Sequence, residues 1–91
     1  MYVDIIWDLP DDPTGNVQHI AEHGVSREEV EEVFHDPNST QERSRSSENE
    51  ITFGHTSTGR HLAVVWQQVE DDPLMVYPVT AYDVPERRRR R

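Results

Sequence analysis

The chain has 91 residues with neither cysteine nor lysine, and 18 acids against nine arginines give a net charge of −9. That length serves one compact domain, residues 1–91, burying roughly 60 to 70% of the surface of the unfolded chain. Without cysteine neither a disulfide framework nor a thiolate metal site can form, the usual condition of an intracellular protein. No basic stretch precedes Asp4 and Asp8, and no apolar run approaches the ~20 residues of a membrane span, so a cytoplasmic protein without membrane contact is expected.

Five of the nine arginines, Arg87 to Arg91, close the chain; without them four bases face 18 acids, a charge of −14. A body that negative repels phosphate and argues against a broad nucleic-acid footprint. A high-salt cytoplasm or an arginine-favouring genome accounts for the same composition, and charge then says little about partners.

The β-branched and aromatic run Tyr2 to Trp7, with Val3, Ile5 and Trp7 on one side by alternation, predicts a strand. Asp12 before Pro13 predicts a helix start and Gly24 its end, with Val17, Ile20 and Ala21 at core spacing. In the run that follows, Ser26 and Glu29 make a capping box, Val25 and Val30 a hydrophobic staple, and Val30, Val33 and Phe34 the buried stripe of a second helix, which Pro37 closes. Glu28 and Glu29 fall in its first turn, where the helix dipole favours them.

The period then shifts to two. Residues 39–46 read as a polar, edge-like strand, 50–56 and 61–69 as firm strands, and 74–82 as a strand whose Pro78 calls for an edge or a bulge. The turns are "SSENE", "STG" and "EDDP". The expected fold is α+β, in the order β-α-α-β-β-β-β, a mainly antiparallel sheet with two helices on one face. The basic tail, residues 84–91, reads as a short third helix or a frayed end. Its cations suit a helix C-terminus, the acidic second helix of the same or another molecule, or sequence-blind contact with RNA. Trp7 and Trp66 are expected in the core.

Four segments, "WD" at Trp7-Asp8, "HGVSREEVEEVFHDP" from His23, "GHTSTGRHLAVV" from Gly54 and "VTAYDVPERR" from Val79, together resemble the BrnT family of bacterial toxins, small proteins of the RelE-like superfamily. The resemblance implies a RelE-like fold and a metal-independent ribonuclease that cuts messenger RNA. It also implies neutralisation by a ribbon-helix-helix antitoxin encoded nearby. Gln18, Ala21 and Glu22 stand where the family carries lysines, and Tyr82 stands where its last strand carries an arginine. Each such loss removes a group that could hold phosphate or developing charge.

RNA cleavage without a metal needs a group to take the 2′-hydroxyl proton, one to stabilise charge on phosphorus and one to protonate the leaving oxygen. Arg60, His55 and Tyr82 are the candidate catalytic residues, with Arg43, Arg45 and His61 as candidate RNA contacts. Arg43 and Arg45 can equally pair with Glu42, Glu48 and Glu50 across a hairpin. Tyr82 reads more simply as half-buried packing with a wet hydroxyl. His19 and His23 have the i, i+4 spacing of metal ligands but lack the glutamate of the zinc-helix signature, so no metal and no cofactor are expected; His23 reads as a helix C-terminal residue satisfying carbonyls. The other function class open to this sequence is a non-enzymatic relative on the same scaffold, a protein-protein interaction module acting as a homodimer or with a basic partner.

Overall fold

The computed structural model of the protein describes residues 3–44 and 48–85. The fold is α+β: β1 (Asp4–Ile5), α1 (Asn16–Ala21), α2 (Arg27–His35), β2 (Thr40–Arg43), β3 (Glu50–His55), β4 (His61–Asp71) and β5 (Leu74–Asp83). One five-stranded sheet runs in the order β1-β5-β4-β3-β2. Its three hairpin pairings are antiparallel, and β1 lies parallel to β5, with Asp4 opposite Met75 and Ile5 opposite Val76. The sheet is therefore mainly antiparallel, as expected, with one parallel pairing at the β1 edge, which the connection through the two helices and three further strands makes possible.

Both helices pack on one face. Ile20, Val25, Val30 and Val33 meet Leu62, Val64, Trp66, Val76 and Ala81 in the core cluster, and Val3, Ile5, Trp7, Phe34 and Leu74 pack around it half-buried. Trp66 is in the core as expected, with Nε1 donating to Thr52 Oγ1 at 2.8 Å. Trp7 stands at the margin, where its Nε1 reaches Glu31 Oε2 at 3.4 Å. Pro78 faces Trp66 next to a register shift in the β4–β5 ladder, which is how a residue without an N–H is accommodated inside an interior strand.

The capping box of α2 is present with both of its hydrogen bonds. Gly24 closes α1 at φ +75°, with Gly24 N–H donating to Ala21 O and Val25 N–H to Ile20 O, a left-handed cap that favours glycine. The start of α1 differs from the expectation. The Asp12 side chain accepts from Thr14 N–H and Oγ1, which makes a local turn, and the helix begins at Asn16, whose N–H donates to Asp8 Oδ2. Among the described residues β1 is confined to Asp4 and Ile5, which lie in register with β5, so the strand stops short of Trp7.

At Gly54 α2 approaches the sheet closely: a Cβ there would sit 3.0 Å from Val33 O and 3.1 Å from Val33 Cγ1. At the far end of β5, Val84 N–H still pairs with His61 O. The chain thus stays extended through Val84, where the expected third helix would begin; residues 86–91 lie outside those described. Among the described residues no helix is long and apolar enough to cross a membrane.

Candidate functional site

Alternation along the strands sorts the candidate residues onto two faces. Leu62, Val64 and Trp66 point into the core beneath the helices, so His61, Ala63 and Val65 occupy the opposite face. Their cross-strand partners share it: His55 opposite His61, Phe53 opposite Ala63, Ile51 opposite Val65, and on β5 Tyr82 opposite Ala63 and Thr80 opposite Val65. No helix among the described residues covers this face.

His55 and His61 stack with ring centroids 4.3 Å apart and planes 10° from parallel. Asp36, just past the end of α2, accepts from the His55 backbone N–H at 2.8 Å through Oδ2, and the same oxygen lies 3.9 Å from His55 Nδ1. The Asp36 carboxyl is held below the usual range, chiefly by the Asn38 backbone N–H and then by that of His55. Tyr82 stands two residues further along the same face and is exposed. Three of the candidates, His55, His61 and Tyr82, therefore share one surface.

The arginines do not join them. Arg60 turns to the helix side, where its guanidinium is enclosed: Nε and Nη2 donate to the two oxygens of Asp83 at 2.8 and 2.9 Å, and Nη1 donates to Gly24 O at 2.8 Å and to Glu29 at 2.9 and 3.0 Å. At most one of its five N–H groups is left for another acceptor. Two carboxylates at this range raise the Arg60 pKa further, and Arg60 in turn lowers that of Asp83. Arg43 pairs with Glu50 at 3.2 Å across the β2–β3 hairpin, the cross-strand alternative. Arg45 lies outside the described residues.

A second polar constellation had no local signal in the sequence. Asn16, only 3% exposed, donates from Nδ2 to Ile6 O and Pro78 O and accepts from Asp8 N–H, while Asp8 Oδ2 accepts from Asn16 N–H and from the Tyr77 hydroxyl. This clamp ties the end of β1 to α1 and β5. Its hydrogen bond to Asp8 pushes the Tyr77 hydroxyl up to about 12, and Tyr77 with Asn16 lowers Asp8. His19 and His23, the other paired imidazoles, meet edge to face at 5.4 Å.

No protein-family model matches this chain, and no curated protein is similar to it at a significant level.

Proposed function

We propose that the chain is the toxin of a bacterial type II toxin-antitoxin pair: a BrnT-like, metal-independent ribonuclease acting on messenger RNA in the cytoplasm and neutralised by a ribbon-helix-helix antitoxin. The resemblance of the four segments motivates this reading. The observation that carries it is the stacked His55–His61 pair on the uncovered face, beside Tyr82 and against the Asp36 carboxylate.

In the reaction so read, the 2′-oxygen attacks phosphorus and the bond to the 5′-oxygen breaks, leaving a cyclic phosphate and a 5′-hydroxyl. His55 takes the 2′-hydroxyl proton, His61 lies against the phosphate, and Tyr82 protonates the departing oxygen. Arg60 serves this site indirectly, because its donors are spent on Asp83, Glu29 and Gly24.

The same saturation of Arg60, with Arg43 bound to Glu50, favours a second reading: a catalytically inactive BrnT-like protein-protein interaction module. Induction of the chain in a bacterial host, with growth and total messenger RNA followed, separates the two. Growth arrest with RNA loss, relieved by His55→Ala and by Tyr82→Phe, supports the nuclease. Unimpeded growth with abundant folded protein overturns it and favours the module.

A further inference from the structure

The two helices cover only part of their face of the sheet. Beyond the C-terminal end of α2 that face continues uncovered as a trough of about 420 Å³, lined by Phe34, Trp66, Leu74 and Val3 with Thr52 and Gln41. Its aromatic wall is preset: Phe34 and Trp66 meet edge to face at 5.9 Å, and the one polar atom of the indole is already bonded to Thr52. The trough opens toward β2, the terminal strand of the sheet, whose four residues are all exposed.

Among the described residues the charge around the trough is predominantly negative. Asp36 lies on its wall, and the acids Glu70, Asp71 and Asp72 stand exposed where β4 turns into β5, with Asp71 opposite Leu74. The three described arginines leave this field unopposed: Arg27 opens α2 at its other end, Arg60 is enclosed by Glu29 and Asp83, and Arg43 is paired with Glu50. His35 is the remaining basic type on the lining.

We propose that the trough docks an amphipathic segment of a partner protein, one bulky apolar side chain flanked by arginine or lysine. An apolar anchor removes the Phe34, Leu74 and Val3 surface from water, and the flanking cations meet Asp36 on one side and the acidic turn on the other. A second copy of this chain suits the site less well, because each molecule brings a net charge of −9 to the contact. The trough lies on the helix-bearing face of the sheet and shares only Asp36 with the surface of His55, His61 and Tyr82, so docking there does not depend on the ribonuclease reading.

The test titrates the full chain, labelled with nitrogen-15, with a short peptide carrying a central tryptophan between arginines. A peptide with glutamates in place of those arginines runs beside it. Saturable shifts are expected at the amides of Phe34, Gln41, Thr52 and Leu74 with the arginine peptide alone, weakening as salt is raised. Leu74→Lys should weaken binding at least ~10-fold. Gln41→Arg, at an exposed position that leaves the core untouched, should weaken it in the same direction. Equal binding of the glutamate peptide, shifts centred on His61 and Tyr82, or no saturation by ~1 mM would overturn the proposal. So would concentration-dependent shifts at the trough without peptide, which would mark a second copy as the occupant.

Discussion

Glu29 Oε1 accepts from the Ser26 backbone N–H at 3.0 Å and from Arg60 Nη1 at 2.9 Å, so the atom that closes the cap of α2 also fastens the helix to β4. Asp83 completes the junction from β5. Three elements distant in sequence are thereby held at one guanidinium, 28% exposed. Its role as described is that of a rivet in the fold.

Arg60→Ala should accordingly destabilise the protein by about 2 kcal/mol, because it strips the charged partner from Glu29 and Asp83 and a donor from Gly24 O. Glu29→Gln should cost less, since an amide oxygen still accepts from Ser26 N–H and keeps the cap. Urea denaturation of the two variants checks the order. Equal stability of Arg60→Ala and the parent would refute the rivet.

Asn16→Ala should be at least as damaging, about 3 kcal/mol, because it orphans Ile6 O, Pro78 O and Asp8 N–H in a site that water barely enters. Asn16→Asp should not rescue it, since a carboxylate cannot donate to the two carbonyls. Thermal unfolding of both variants would show this.

Tyr77 should ionise near 12, against about 10 for a free phenol. Its folded-state pKa is raised, so its contribution to stability is complete below about pH 10 and is lost as the pH rises toward 12. The difference in ultraviolet titration between the parent and Tyr77→Phe isolates this group. In Asp8→Asn the midpoint should fall toward the free value, because the charge that holds the proton is gone.

At the acid end the sign reverses. Asp8, Asp36 and Asp83 all have lowered folded-state pKa values: Asp8 through Tyr77 and Asn16, Asp36 through the backbone N–H groups of Asn38 and His55, Asp83 through Arg60. Their stabilisation is present above the ordinary carboxylate range near pH 4 and is lost as the pH falls through their folded values. Circular dichroism against pH should show unfolding below about pH 4 in the parent. Asp36→Asn should lose part of that dependence.

Local chemistry made much of this fold legible. Ser26 and Glu29 announce α2 because a capping box lies within four residues, and Gly24 marks the end of α1 because the left-handed cap needs no distant partner. Pro78 announced its register shift for the same reason. The first turn of α1 was misread because Asp12 and Pro13 form a sound cap pair in isolation. The competing acceptor, Asp8, becomes available to Asn16 only once β1 is in place. The Asp8–Tyr77 contact spans most of the chain and has no periodicity to betray it.

Arg60 shows the same limit at the candidate site. Its nearness in sequence to His61 suggests a shared surface, yet Arg60 stands just before β4 and its guanidinium goes to the helices, while the His61 imidazole, the first of the strand, goes to the open side. The stacked His55–His61 pair follows directly from the β3–β4 register, which only the folded ladder fixes.

The parallel pairing of β1 with β5 also orders the assembly of the molecule. β2, β3, β4 and β5 are joined by short turns and can form as successive hairpins, whereas Asp4 finds Met75 only after β2, β3 and β4 have been made. On a translating ribosome β1 leaves before the other strands of this sheet and is paired after them, and the Asn16 clamp, which needs both Ile6 and Pro78, closes with it.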